Sequence, residues 1–263
     1  MQNGFNFPER FMMPYSLLLP LLLYMDFGGN PVYNFKTENC FIVRSNCAFV
    51  RFNRVYHHNE FSDAEVEAIK TYFNKIPFSW IIDVNDQKAA DILNNHGFVK
   101  YPDPFSGMVA NISSIADTAY GPGITVKEIN QKEDIDTLID IIARSNYGYE
   151  KSEWQKAIYD LLAKGTSHIK LYIGFYADQP CAANIIIYHK DMVTLHMIST
   201  LPEYRCKGLG CAVTHKALFD AACNGATTAL LLASSMALSL YQKMGFKEYT
   251  QYYIYIYKAP VAQ

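Results

Sequence analysis

Leu195-His196-Met197-Ile198-Ser199-Thr200-Leu201-Pro202-Glu203-Tyr204-Arg205-Cys206-Lys207-Gly208-Leu209-Gly210 is the stretch whose reading decides the fold. Its first six residues continue Met192-Val193-Thr194 as a strand that ends at Thr200. After a proline-led turn, Arg205 to Gly210 opens a helix that runs to about Cys223, where Asn224-Gly225 is a stop signal. A helix N-terminus exposes unpaired N–H groups and the positive end of a dipole, which suits a pyrophosphate. Glycines at 208 and 210 let the backbone approach an anion with no Cβ in the way, and Arg205 or Lys207 can add charge-assisted hydrogen bonds. The order is not the dinucleotide fingerprint G-x-G-x-x-G, nor a Walker loop, since no Lys-Ser/Thr follows.

Working outward, Val126 to Ile129 reads as a short strand and Asp134 to Ser145 as a helix, with Leu138, Ile141 and Ile142 at helical spacing. Ser152 to Lys164 repeats the helical pattern, and Lys170 to Tyr176 and Ala182 to His189 are strands. Beyond the loop come a strand at Thr228 to Ala233, a helix around Ala237 to Met244, and a final strand pair centred on Phe246 and on Tyr252 to Tyr257. The order β-α-α-β-β-β-α-β-α-β-β is a mixed α/β layout. Ile115 to Thr125, small, nearly uncharged and punctuated by Gly and Pro, has the composition of an inter-domain linker.

Two patterns now stand together: P-x-x-R-x-x-G-x-G from Pro202 to Gly210, and A-x-x-L-Y-x-K-x-G-F from Ala237 to Phe246. They closely resemble the GCN5-related N-acetyltransferase (GNAT) superfamily, over roughly Val126 to Tyr257. The resemblance implies that the loop binds the pyrophosphate of acetyl-CoA through backbone amides of about Lys207, Gly208, Leu209, Gly210 and Cys211, with Arg205 beside them. It also implies that the preceding strand splays from its neighbour and hydrogen-bonds the pantetheine arm near Ile198 and Thr200. Tyr241 takes the place of the tyrosine that protonates the departing thiolate, and a phenol with a reference pKa near 10 is a competent acid at neutral pH. Where relatives often carry Asn, seven residues before this Tyr, the chain has Ser234, whose hydroxyl has a shorter reach.

An amine nucleophile must lose a proton, so a base or water chain is needed. His196 is the candidate: period-two spacing puts it on a strand face with Ile198 and Thr200, although strand histidines often just satisfy a carbonyl. Glu203 reads as a solvated loop charge. Tyr149 and Glu150, in Asn146-Tyr147-Gly148-Tyr149-Glu150, stand where the family forms an acceptor wall and could receive a cationic amine; a plain helix–helix turn accounts for them equally well.

The first half echoes the second. Cys40 to Arg54 alternates like one or two strands, Asp63 to Phe73 and Asp86 to Asn95 read as helices, and Phe78 to Val84 as a strand. Gly97-Phe98-Val99-Lys100 stands where Gly245-Phe246-Lys247 stands later, a glycine stop followed by an aromatic that starts a strand. None of the glycines at 4, 28, 29, 97 and 107 builds a phosphate loop, and Leu93 stands in the place of Tyr241. The half resembles the degenerate first domain of tandem acetyltransferases. The expected architecture is thus two tandem acetyltransferase-like domains, each a mixed, mostly antiparallel sheet flanked by helices. Residues 1–116 form the degenerate domain that helps shape the acceptor cleft, 117–124 a linker, and 125–263 the acetyl-CoA-binding domain.

Composition bounds the rest. With 263 residues, 50% apolar and 18% charged, the chain can bury a sizeable core, which excludes disorder as a class. A net charge of −2 and the lack of a long basic tract argue against a nucleic-acid binder. The cysteines at 40, 47, 181, 206, 211 and 223 form no C-x-x-C pair or zinc spacing, so they read as reduced thiols and no metal is expected. The pair His57-His58 reads as a surface or strand-edge feature. Phe11 to Met25 is apolar but short for a span and broken by Pro14 and Pro20, so it reads as buried core rather than an anchor. The expectation is a cytoplasmic N-acyltransferase with acetyl-CoA as co-substrate, no metal, an amine acceptor of open identity, and neither nucleic acid nor membrane as partner. A non-catalytic acyl-CoA sensor or interaction module is the alternative.

Overall fold

The computed structural model describes residues 39–44, 50, 53–57, 59–145, 151–162 and 167–258. The apolar run 11–25, Cys47, His58 and the segment 146–150 with Tyr149 and Glu150 lie outside the described residues.

In the first half come β1 (Cys40–Val43), β2 (Arg54–His57), α1 (Asp63–Phe73), β3 (Phe78–Asp83), α2 (Gln87–Asn95), β4 (Val99–Lys100) and β5 (Phe105–Asn111). The second half adds β6 (Ile124–Ile129), α3 (Lys132–Ser145), α4 (Lys151–Leu162), β7 (Ile169–Tyr176), β8 (Gln179–His189) and β9 (Met192–Thr200). A 3-10 turn at Pro202–Tyr204 leads to α5 (Leu209–Cys223), β10 (Thr228–Ala233), α6 (Leu238–Lys243) and β11 (Lys247–Tyr257).

Local chemistry explains the boundaries. Ser62 and Glu65 close a reciprocal capping box at the start of α1, while Asn74 ends it in the left-handed region. Asp86 caps α2 by accepting from Ala89 N at 2.9 Å. The echo between the halves is literal in the backbone. Gly97 and Gly245 have φ of +77° and +89°, and the following Phe98 and Phe246 donate their N–H to Leu93 O at 3.1 Å and Tyr241 O at 3.0 Å. Each helix therefore ends in the same Schellman-type turn.

All the described strands join one sheet, in the order β1-β2-β3-β11-β5-β10-β9-β8-β7-β6, with β4 pairing on β11. The halves exchange their last strands across the middle. β5, from the first half, lies antiparallel to β10, Leu231 opposite Met108, while β11 runs antiparallel to β3, Ile256 opposite Ser79. Tyr255 of β11 accordingly packs in the first-half core with Phe73, Phe78, Trp80 and Leu93. The second-half core gathers Leu138, Ile142, Tyr172, Ile186, Val213, Leu218 and Phe246 around β7 to β10.

Two sequence readings need correction. The expected final strand pair is one strand, β11, bulged between Glu248 and Thr250 where it passes β5. The bulge throws Tyr249 against Gly107, whose missing Cβ would lie 3.0 Å from Tyr249 Cζ and Tyr252 Cε2, so a single strand bends where two were expected. His57 is partly buried at the end of the inner strand β2 rather than at the surface or on a strand edge, its Nε2 2.8 Å from Asp86 Oδ2 and its Nδ1 accepting from Trp80 Nε1 at 3.4 Å. No disulfide joins the five described cysteines. Among the described residues, no helix is long and apolar enough to cross a membrane and no cluster could hold a metal ion.

Candidate active site

The loop after β9 is built from its backbone outward. Arg205 donates from Nε to Thr200 O and from Nη2 to Ser145 O, both at 3.3 Å, tying the loop to the ends of β9 and α3. Cys206 and Gly208 take φ of +61° and +87°, turning the chain so that α5 starts at Leu209. The first helical bond is Ala212 N to Gly208 O at 2.9 Å, and Gly208 supplies no side-chain cap. The N–H groups of Leu209, Gly210 and Cys211 thus have no acceptor within the helix and point out of its end. Leu209 is 1% exposed, so its side chain anchors the helix in the core and only its amide can serve a ligand.

Lys207 is the exposed cation of the loop. Its Nζ lies 4.7 Å from the Tyr176 ring centroid and 5.4 Å from that of Tyr204, and no described carboxylate pairs with it. Glu203 is exposed and ion-paired with Arg144 at 3.0 Å. The two loop glycines do different jobs. Gly208 is needed for its left-handed backbone, whereas a Cβ on Gly210 would sit 3.6 Å from both Leu240 Cδ2 and Thr200 Oγ1, ordinary contact. Gly210 therefore marks where the end of β9, the start of α5 and helix α6 meet.

β9 and β10 part beside this loop. They pair in parallel at three positions only, Met192 with Thr228, Val193 with Ala229 and Thr194 with Leu230. From Leu195 onward β9 no longer pairs with β10, while β10 continues along β5. The cause lies in β9 itself. Between Ile185 opposite His196 and Ala183 opposite Ser199 one extra residue is inserted, and Met197 takes φ of +52°. A bulge of this kind bends its strand and sharpens the twist.

The same bulge corrects the strand-face argument. Residues directly opposite share a face, and Ile185 and Ala183 lie two apart on β8, so His196 shares its face with Ser199. Thr200, opposite Ala182, lies on the other face. His196 is half-buried, with Nε2 2.9 Å from Thr194 Oγ1.

A cavity of about 140 Å³ opens where the strands part, lined by Thr194 to Met197 on one side and Leu230 to Leu232 on the other. Its opposite wall comes from the first half: Arg54, Ser79, Ile81, Tyr101 and Phe105. Those first-half residues are the part of the site that sequence reasoning missed. The sequence reading expected the first half to help shape the acceptor cleft but named none of these residues.

Tyr241 lies on α6, 5% exposed, its ring edge-on to Phe246 at 5.9 Å. Burial pushes its phenol well above its ordinary value. α6 is positioned by Ser234, whose carbonyl accepts from Ala237 N at 3.0 Å and Leu238 N at 3.1 Å. Through Leu240 the helix touches Gly210 and so the phosphate-type loop, but Tyr241 is not in the cavity wall that carries His196. Thr200, Arg205, Gly208, Gly210 and Leu240 are thus brought together, with His196 reaching into the gap from the far face.

Comparison with known proteins bears on this arrangement. Residues 168–248 match the family model described as acetyltransferase (GNAT) domain. No curated protein sequence matches. Among solved structures, a GCN5-related N-acetyltransferase from Kribbella flavida superimposes with a TM-score of 0.70 at 15% identity, over 95% of this chain and 97% of that one. A conserved protein of unknown function from Staphylococcus epidermidis gives 0.66 at 12% identity, over 89% and 98%. A tandem GNAT protein from the clavulanic acid biosynthesis pathway gives 0.57 at 7% identity, over 87% and 82%. At these identities the likeness is one of fold.

Proposed function

We propose, from the premise that residues 168–248 are an acetyltransferase domain of the GNAT superfamily, that this protein is an acyl-CoA-dependent N-acyltransferase moving acetyl from acetyl-CoA to a primary amine. The observation that carries the reading is the parting of β9 from β10 directly beside the open N-terminus of α5. That arrangement fits the co-substrate: open helix-end amides and a dipole end for the diphosphate, and a strand end that has parted from β10 for the amide-bearing arm. When bound, acetyl-CoA supplies a thioester activated toward direct attack by an amine.

The chain's own residues then divide the work. The amides of Leu209, Gly210 and Cys211 hold the diphosphate, and Lys207 adds a cation over the loop. Gly208 keeps the loop in the left-handed turn that aims those amides, and Arg205 fixes its base. Ile198 and Thr200, at the end of β9, and Ser234, just past β10, are assigned to contacts with the arm of the co-substrate. His196, held by Thr194, accepts the proton of the attacking amine, directly or through water. Tyr241, kept neutral by burial, donates the proton that the departing thiolate takes up. Strand walls on both sides exclude water and hold the reactants together.

Replacing Tyr241 by Phe tests the reading. Thiol release should fall by roughly 10²- to 10⁴-fold, while acetyl-CoA should still raise the melting temperature. Unchanged turnover would remove Tyr241 as the acid, and no acetyl-CoA-induced shift in the native protein would remove the transferase reading altogether.

A further inference from the structure

The middle of the sheet is apolar on both faces. A strand with one face in water alternates apolar and polar residues, yet Ile254-Tyr255-Ile256 on β11 and Leu230-Leu231-Leu232 on β10 do not. Tyr255 and Leu231 turn into the two cores. Register carries the other face across both halves. Ile81 lies opposite Ile254, Phe105 opposite Tyr252, Leu232 opposite Gly107, and Thr194 opposite Leu230. Period-two spacing within each strand then puts Ile81, Ile254, Phe105, Leu232 and His196 on one continuous face, since both bulges lie outside these steps.

That face is the floor of the cavity of about 140 Å³ where β9 and β10 part. Phe105, Leu232, Ile254 and Ile256 are half-buried, so part of their apolar surface is open to the cavity. Arg54, in the same wall, is engaged within the protein, its Nη1 donating to the hydroxyl of Tyr56 at 3.2 Å. An apolar cavity of about 150 Å³ stays free of water and takes up a benzene ring. The open end of α5 belongs to the other side of the sheet. Asn184, one residue from Ile185 and so on the face away from His196, donates from Nδ2 to Val213 O of α5 at 3.4 Å. A co-substrate held at α5 thus reaches the parting of the strands from one face, and what fills the cavity reaches it from the other.

We propose that this floor is the specificity pocket for the acceptor, so that the acceptor is a primary amine joined by a short link to a compact apolar body the size of a phenyl ring. The proposal rests on the transferase reading and adds the substrate class to it. With the body against Ile81, Leu232 and Ile254, the amine stands on the same face as His196. A second ammonium or a polyhydroxylated body would give up its hydration against these side chains, so diamines and amino sugars fit poorly.

The test uses the full chain with acetyl-CoA and three amines: phenethylamine, propylamine and ethanolamine. Thiol release is expected to favour phenethylamine in kcat/KM by about 10- to 100-fold over either smaller amine. Ile254→Trp and Leu232→Phe each fill the cavity from a different strand, and either should bring the three amines within about threefold. The acetyl-CoA-induced thermal shift should persist in both variants, showing that they are folded and bind the co-substrate. A native protein that prefers ethanolamine, or a preference for phenethylamine unchanged in both folded variants, would overturn the proposal. So would hexanoyl-CoA outrunning acetyl-CoA with propylamine and losing that advantage in Ile254→Trp, which would give the cavity to the acyl chain. If none of the amines is acetylated, the transferase reading is what fails, and calorimetric titration of phenethylamine into the protein with CoA decides the pocket: binding lost in Ile254→Trp supports it, and no binding to the native protein overturns it.

Discussion

The two loop glycines should respond oppositely to alanine. At Gly208 the backbone holds φ of +87°, where an L-residue with a Cβ is strained by about 1–2 kcal/mol. At Gly210 no such φ is imposed, and the added methyl would rest 3.6 Å from Leu240 Cδ2 and Thr200 Oγ1. There Gly→Ala in a helix contributes up to about 1 kcal/mol of stability. For a chain of this size 1 kcal/mol moves the melting temperature by roughly 2–4 °C. Gly208→Ala should therefore melt about 2–8 °C lower, and Gly210→Ala at the native temperature or up to about 4 °C higher. Ligand at a hundredfold over its dissociation constant adds about 2.7 kcal/mol, roughly 5–11 °C. Gly210→Ala should keep that acetyl-CoA shift, since its methyl points at Leu240 and Thr200. Gly208→Ala, by relaxing the turn that aims the amides, should lose most of it. Differential scanning fluorimetry with and without acetyl-CoA reads all four numbers. Equal destabilisation by the two variants, or a full ligand shift in Gly208→Ala, would refute the division of labour.

Other outcomes follow from the same geometry. Because burial raises the Tyr241 pKa above 10, the phenol stays protonated as pH climbs to 10, so the kcat–pH profile should show no descending limb that Tyr241→Phe removes. A limb below pH 10 that vanishes in the variant would contradict this. Arg205→Lys and Arg205→Ala should both lower stability, by about 1–3 kcal/mol on chemical denaturation, because only a guanidinium spans Thr200 O and Ser145 O together; a neutral Lys variant would show that the double tie is dispensable. Residues 117–263 expressed alone should not melt cooperatively as a monomer, since β11 and β10 would lose β3 and β5 and expose sheet edges in the middle of the fold. A monomeric fragment with a sharp, acetyl-CoA-sensitive transition would show that the exchanged strands are ornamental.

What could be read from the chain directly was what neighbouring residues decide among themselves. Asp63 to Phe73 is a helix because its cap, its acidic first turn and its apolar stripe all lie within a few residues of one another. The glycine stops at 97 and 245 are local in the same sense, and so is the passage from β9 through Arg205 to α5, where the requirement for a left-handed turn is written as Gly208. These local signals were enough to place a phosphate-type loop between a strand and a helix and to pair it with a tyrosine on a later helix. The shared strand face read for His196 and Thr200 failed on one residue: a bulge at Met197 breaks period-two spacing, and nothing in Met197-Ile198 announces that a bulge rather than a regular strand will form.

The tertiary structure decided the rest because it concerns residues far apart in the chain. Thr250 on β11 donates to Asp83 across 167 residues, and strand pairing at that distance depends on which edges remain open after every other strand has been placed. Sequence periodicity shows that Tyr252 to Tyr257 is a strand but carries no label for its partner. The partner turned out to be β3 in the other half, and that exchange carries Arg54 and its apolar neighbours to the cavity beside His196. The sequence by itself determined a glycine-bearing turn that opens a helix directly after a strand; only the folded sheet decided what stands across from it, because the wall facing the gap is supplied by strands that no local pattern ties to the loop.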